Sequence, residues 1–284
     1  MGRRWLVTGC SSGLGRALAT AAAQAGHRVA VTARRTADLA ELVAVRPDHL
    51  IPVPLELRDA ASCEEAVGTA VDRLGGIDVL VNNAAAGLFG AVEEVSDAEV
   101  RDQLETLLVG PWRLIRLVLP LMRAQGHGHI VNVSSVVGRT AFPGLAAYTA
   151  GKHALEGMSQ TLAMEAAAHH VRVTVLEPGM FATRYGSSLT EARRRVPAYD
   201  GTNREMLQGT RGLADSPDAG RPEDFADVVL DLVATEGPLP LRIPVGEDAY
   251  DCLDRHGEAA SADHTAARAL WKGLPSGRGR RERG

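Results

Sequence analysis

Tyr148 and Lys152 stand four residues apart in AAYTAGKHALEG (146–157). The stretch that follows places Leu155, Met158 and Leu162 three or four apart, which is helical spacing. On a helix, positions i and i+4 lie one above the other on the same face, so a phenol stands beside an ammonium. Two readings are open for such a pair. One is two amphipathic side chains covering a surface helix, their polar tips in water. The other is an acid and its tuner. A phenol titrates near about 10, too high to exchange protons readily at neutrality, and bringing it to about 7 means favouring phenolate by about 4 kcal/mol. A cation one helical turn away acts in that direction.

A second stretch, TGCSSGLG (8–15), joins a strand-like run, WLVTG (5–9), to a segment of helical length. Gly9, Gly13 and Gly15 are spaced G-x-x-x-G-x-G. Glycines permit a tight turn and let the backbone approach a ligand closely. The unpaired N–H groups at the start of the next helix suit a pyrophosphate. In that position the turn reads as dinucleotide-binding, with Gly9, Ser11, Ser12, Gly13, Leu14 and Gly15 as its cradle. The next strand-like run, RVAVTA (28–33), ends in Arg34 and Arg35 with no carboxylate. A carboxylate there would accept hydrogen bonds from the adenosine ribose, whereas an arginine suits a 2′-phosphate. The expected cofactor is therefore NADP(H). Arg34, which follows the strand immediately, is a better candidate than Arg35. The alternative is two solvated arginines opening a loop.

These residues need a scaffold, and the rest of the chain describes one. Strand-like runs at 5–9, 28–33, 49–57, 77–83, 129–135 and 171–178 alternate with stretches of helical length at 14–25, 36–45, 60–74, 96–122 and 147–168. Such alternation predicts βαβ units and a parallel sheet covered on both faces. The nearly continuous apolar strands fit burial on both sides. The fold class is α/β, a single doubly wound domain over residues 1–257. Within it 179–221, rich in Gly, Ser, Arg, Asp and Pro and without periodicity, reads as a substrate loop or lid. A helix (222–235), a strand (241–245) and a helical stretch (246–272) follow. Residues 258–284 read as a C-terminal helix running into a basic disordered tail, PSGRGRRERG.

Composition excludes several function classes. Lys and Arg total 31 against 35 Asp and Glu in 284 residues, a net charge of −4, which gives no general attraction to nucleic acid or anionic lipid. Cys10, Cys63 and Cys252 are widely spaced, as expected for free thiols in a reducing cytoplasm. The N-terminal residues lack an apolar signal-peptide core, and no apolar run approaches the ~18 residues of a membrane span. A soluble, cytoplasmic protein with a small-molecule substrate is expected. His127, His129, His169 and His170 are placed in surface turns, without the carboxylates or cysteines of a metal site, so no metal is expected. The run Arg193, Arg194, Arg195 reads as a solvated face, or as a contact to an acidic substrate or cofactor phosphate when the lid closes. Cys10 reads as a small space-filler.

TGCSSGLG, NNAA at the end of the fourth strand, and Ser135 thirteen residues before Y-x-x-x-K together resemble the short-chain dehydrogenase/reductase family over residues 4–257. The resemblance implies a Rossmann-type domain with a seven-stranded parallel sheet and hydride transfer between NAD(P)(H) and a carbonyl or alcohol. It makes Tyr148 the catalytic acid–base, Lys152 its partner and a contact of the nicotinamide ribose, and Ser135 the hydroxyl that polarises the carbonyl. It places Asn82 and Ala84 beside the cofactor, Glu56 and Leu57 near the adenine, and Pro178 and Gly179 beside the nicotinamide. Phe181, by its backbone, and Thr183, by its hydroxyl, would reach the carboxamide or phosphate. It also implies a homodimer or homotetramer built through 96–122 and 147–168.

Three positions depart from the family pattern. Leu107 stands where members commonly carry an Asn whose backbone holds a water in a relay from the lysine to solvent. An apolar side chain is expected to leave that helix regular and to remove the kink or the water. Ala85 replaces the glycine of NNAG. Gly151 replaces the serine of Y-x-A-S-K, at a cost of about 1 kcal/mol against Ala in a helix, which close packing against another backbone would explain. The leading expectation is an NADP(H)-dependent oxidoreductase interconverting a carbonyl and a secondary alcohol. Phe89, Phe142, Met180 and Tyr185 are expected to line an apolar pocket for a lipophilic or aromatic substrate. Leu107 motivates an alternative, non-redox chemistry such as dehydration, ring-opening or cyclisation. A third reading, a cofactor-binding regulatory protein, has no need of the intact serine, tyrosine and lysine.

Overall fold

The structure, a computed structural model, describes residues 2–274. Seven strands form one parallel sheet: β1 (Arg4–Val7), β2 (Arg28–Ala33), β3 (Leu50–Pro54), β4 (Val79–Asn82), β6 (Gly128–Val133), β7 (Val171–Pro178) and β9 (Arg242–Val245), in the order β3-β2-β1-β4-β6-β7-β9. A small second sheet pairs β5 (Leu88–Phe89) with β8 (Thr190–Glu191). The strand period of two sorts side chains between the faces. On β1, Trp5 and Val7 enter one apolar cluster and Leu6 the other.

The first cluster is covered by α1 (Gly13–Gln24), α2 (Ala40–Val45) and α8 (Pro222–Ala234). The second is covered by α3 (Ala60–Leu74), α5 (Gly110–Gln125) and α6 (Ala146–Ala166). The chain leaves β1 outward to β2 and β3, then returns to β4 on the other side of β1. Such a reversal opens a crevice at the carboxyl ends of the two diverging strands, and ligands bind there.

The doubly wound α/β expectation holds, with corrections in detail. The β3 strand stops at Pro54, so Glu56 and Leu57 lie in the loop beyond it. Residues 96–122 are not one regular helix. They form α4 (Asp97–Leu104), a π-helical turn (Glu105–Val109) and α5. The lid contains a helix the sequence did not announce, α7 (Asp200–Arg211). The last helix, α9 (Glu247–Gly273), runs unbroken through residue 257. Ala249 and Leu253 are buried, while residues 257–274 are all exposed, so that boundary marks the end of packing and not of the helix. The basic stretch PSGRGRRERG lies outside the described residues. Among the described residues no helix is long and apolar enough to cross a membrane. His129 is not in a surface turn. It lies wholly buried on β6, its Nε2 2.9 Å from Thr174 Oγ1, and burial pushes its pKa down to about 3.

Candidate active site

The glycine turn is fastened to the end of β4. Thr8 Oγ1 accepts from the backbone N–H groups of Asn83 and Ala84, both at 2.9 Å, and Asn83 Nδ2 donates to Thr8 O at 2.8 Å. Gly9 has a φ of +74°, and a Cβ there would lie 2.8 Å from Ala84 Cα. Gly15 stands directly against Gly9 and the Asn83 amide, with no room for a side chain. Ser12 precedes α1 without capping it through its side chain. The first-turn N–H groups of α1 therefore face the crevice with their donor capacity free. Ser11, Ser12, Gly13 and Leu14 line a cavity of about 1400 Å3 there.

The same cavity is lined by Ser135, Tyr148 and Lys152. Ser135 closes the end of β6, where its Oγ accepts from the Val137 N–H at 3.3 Å. Tyr148 sits in the first turn of α6 and Lys152 one turn on, both buried. The Lys152 ammonium donates to the Val133 carbonyl at 2.7 Å and lies 5.6 Å from the centre of the Tyr148 ring. The pair is therefore no solvated surface couple. Burial pushes the Tyr148 phenol up to about 12, opposed by the neighbouring hydroxyls of Tyr185 and Ser135. Burial also brings Lys152 down to about 8, opposed by Glu156. The expected lowering of the phenol by the lysine does not prevail in the unliganded chain, because burial disfavours both charged forms and the ammonium is turned onto β6. Tyr148 is thus a protonated acid at neutral pH.

Comparison with known proteins agrees with this geometry. A family model described as short chain dehydrogenase matches residues 3–194. The chain belongs to the short-chain dehydrogenase/reductase family. It is 35% identical over 271 residues to the oxidoreductase BOA17 of Botryotinia fuckeliana, covering 95% of this chain and 98% of that one. The crystal structure of a short-chain dehydrogenase from Streptomyces avermitilis superposes with a TM-score of 0.87 at 39% identity, over 96% of this chain and 98% of that one. A metagenomic short-chain oxidoreductase crystallised with NADP superposes with a TM-score of 0.68 at 29% identity, over 86% and 97% of the two chains.

In this short-chain dehydrogenase the kink expected to vanish with Leu107 is kept. Residues Glu105–Val109 form the π-turn, because its bonds are main-chain and need no polar side chain at position 107. The expectation of a regular helix at Leu107 is thereby corrected. Leu107 is 1% exposed and seats against Gly151, where a Cβ would lie 2.8 Å from Leu107 Cδ1 and 3.0 Å from Leu107 Cβ. Gly151 is thus explained by a side chain, not by another backbone. Two of the three departures from the family pattern, Leu107 and Gly151, are one contact.

Other expected cofactor residues divide. Gly9, Arg34, Glu56, Leu57, Ala84, Pro178, Gly179, Phe181 and Thr183 line the cavity with the turn residues. Asn82 does not: its amide donates to Asn132 Oδ1 at 2.8 Å inside the sheet, and Asn83, Ala85 and Ala86 reach the cavity instead. Gly15 packs behind the turn, as described. Arg35 turns outward onto Asp38, 2.9 Å away. Glu56 is paired with Arg58 at 3.1 Å, whose hydrogen bond holds its carboxyl below the ordinary range. Cys10 is buried, and burial pushes its thiol up to about 12, so it fills space and is not reactive.

Residues of 179–221 line the far side of this cavity. Phe142, Met180 and Tyr185 line it as expected, but Phe89 packs in the core against Gly144. The Tyr185 ring lies 5.5 Å from that of Tyr148, and its hydroxyl is buried beside the Tyr148 hydroxyl. The arginine run serves the lid itself. Arg194 pairs with Glu93 at 3.4 Å and Arg195 with Asp200 at 3.0 Å, while the Arg193 N–H donates to Glu99 at 3.0 Å. Sequence reasoning missed Arg184, which donates to Ser11 O in the glycine turn at 3.4 Å, and Asp248 of α9, which accepts from the Met180 N–H at 2.7 Å. Arg184 follows Thr183 directly and carries the signal of a cation beside a phosphate turn. Asp248 had none.

Proposed function

We propose that the chain is an NADP(H)-dependent oxidoreductase that interconverts a carbonyl and a secondary alcohol on a lipophilic or aromatic small molecule, with Ser135, Tyr148 and Lys152 as its catalytic set. The observation that carries the cofactor reading is Arg34. It lines the cavity at the end of β2, makes no ion pair among the described residues, and has no carboxylate beside it on that strand end. The uncapped start of α1 and Arg184 suit the pyrophosphate. The NADP-bound metagenomic relative is consistent with this choice.

When bound, the nicotinamide supplies the hydride in reduction or accepts it in oxidation. The chain's own residues manage the oxygen and its proton. Ser135 Oγ donates a hydrogen bond to the carbonyl oxygen, and the Tyr148 hydroxyl gives it a proton. Lys152 keeps a positive charge near the phenolate that remains. Phe142, Leu145, Met180 and Met206 give the substrate side an apolar wall, with the Tyr185 hydroxyl beside that of Tyr148. A homodimer or homotetramer through α4–α5 and α6 fits the exposed Trp112 and Met164 on those helices.

Fluorescence titration with NADPH and NADH tests the reading without a known substrate. NADPH is expected to bind more tightly, and Arg34→Ala to weaken it about 10- to 100-fold while leaving NADH nearly unchanged. Equal affinity for both cofactors would remove the NADP assignment. Stoichiometric NADPH oxidation with an aromatic or long-chain ketone then tests the reaction.

A further inference from the structure

The catalytic helix carries a third ionisable side chain in register. Glu156 follows Lys152 by four residues as Lys152 follows Tyr148, so phenol, ammonium and carboxylate line up along one face of α6. Glu156 is 4% exposed, and Glu177, the penultimate residue of β7, is 0% exposed. Arg242 of β9 stands between them, its Nε 2.9 Å from Glu156 Oε2 and 3.9 Å from Glu177 Oε1. Arg139, in the turn after β6, lies 3.6 Å from Glu177 Oε2.

These arginines leave the pair unsatisfied. Glu156 Oε1, both Glu177 oxygens and the Ser134 hydroxyl are buried with no hydrogen-bond partner among the described residues. The Ser134 hydroxyl and Glu156 Oε1 meet at Gly138, where a Cβ would strike Ser134 Oγ and lie 3.1 Å from Glu156 Oε1.

Position and surroundings give the pair a use. Glu156 acts directly on the charge of Lys152, holding its proton on. On the far side, Arg139 and Arg242 are 42% and 30% exposed, so the cluster meets water at their guanidinium heads. Burial first, and the charge of Glu156 second, push the Glu177 carboxyl up to about 7 against the pull of Arg139 and Arg242.

We propose that Glu156 and Glu177, buried together behind Lys152 on the two sides of Arg242, are a carboxyl pair that carries protons between Lys152 and solvent. The proposal rests on the oxidoreductase reading above. In reduction the Tyr148 O–H bond breaks as the product O–H forms, leaving phenolate. Lys152 gives up a proton toward that phenolate, and its amine is reprotonated by the carboxyl pair. The pair takes a proton from water at the arginine heads, so charge and protons balance and no further redox partner is needed. In oxidation each transfer runs in reverse. Glu156 and Glu177 act through Lys152 and touch neither substrate nor cofactor.

The test is Glu156→Gln, which keeps a hydrogen-bond acceptor for Arg242 but cannot carry the proton. Expected are a fall in kcat of about 10-fold or more, KM and NADPH affinity within about twofold of wild type, and a larger solvent isotope effect. Added formate is expected to restore part of kcat, which a merely structural loss would not allow. A kcat within about twofold of wild type, with an unchanged isotope effect, overturns the relay. So does a lowered kcat that formate leaves where it is. Infrared titration of the wild-type chain needs no variant: a buried carboxylic C=O band is expected to disappear as the pH passes about 7. Its absence overturns a proton held on Glu177 even in an active enzyme. Failure of the wild type to turn over any carbonyl with NADPH would instead remove the oxidoreductase reading, a separate outcome.

Discussion

Asp78 and Glu177 are buried carboxyls on one sheet, and their surroundings make them opposites. Asp78 opens β4 at the amino end of the sheet. It accepts from the Arg4 backbone N–H at 2.8 Å and Arg4 Nε at 3.0 Å, and lies 3.1 Å from His127 Nε2. Burial works to raise its pKa, but the bonds from Arg4 and His127 outweigh burial and hold it down at about 2. Glu177 lies at the carboxyl end with its arginine partners no nearer than 3.6 Å, and burial prevails. One end of the sheet is fastened, the other left poised beside the candidate active site. Perturbed groups of the second kind gather where chemistry is done, since a proton must be neither too tightly nor too loosely held.

The contrast is also one of sign. A depressed carboxyl contributes stability that is present above its ordinary pKa of 3.8 and is lost as pH falls through about 2. A raised carboxyl takes its proton in the native chain before the unfolded one. Its contribution to stability therefore declines as pH climbs from the ordinary 4.5 through about 7.

The largest effect that bears on this contrast is expected at the carboxyl end, in catalysis. Tyr148→Phe should lower kcat about 1000-fold while thermal unfolding stays near wild type. A variant that kept its turnover would end the acid role of Tyr148. At the amino end the loss should fall on stability instead. Asp78→Asn should cost about 2 kcal/mol at neutral pH in urea unfolding, abolish the slope of stability below pH ~4, and leave kcat within about twofold. If kcat fell with it, the two ends would not be separable.

A smaller effect is expected from Gly151→Ala, which drives a methyl group into Leu107. A fall in kcat of about tenfold is expected, with Leu107→Ala in the same chain restoring most of it. Additive losses would mean that the two residues do not act as one contact. The smallest effect on stability is expected from Glu177→Gln. It should change stability near pH 5 by less than about 1 kcal/mol and remove the decline toward pH 8, as read from urea midpoints at several pH values.

The candidate site was legible in the sequence where its geometry is local. Tyr148 and Lys152 share a face because a helix repeats about every 3.6 residues. The glycine turn announces a strand-to-helix junction by itself, and Arg34 is placed by the end of a strand six residues long. The helix within 179–221, α7, was not legible. DGTNREMLQGTR holds two glycines and has Met206 and Leu207 side by side instead of spaced along a face. Packing of those two residues onto the cluster around Tyr148 and Leu107 holds it in place.

The sequence by itself determined the α/β alternation, the dinucleotide turn and the register of the catalytic pair, since each depends on neighbours within a few turns of chain. Only the tertiary structure decided that Asn83 and not Asn82 faces the cavity, and that His129 is core. It alone seated Leu107 in the notch at Gly151 and brought Glu156 and Glu177 to one pair of arginines. Those outcomes depend on which strands lie side by side, and the order β3-β2-β1-β4-β6-β7-β9 is set by how whole helices cover the two faces of the sheet, which no local period records.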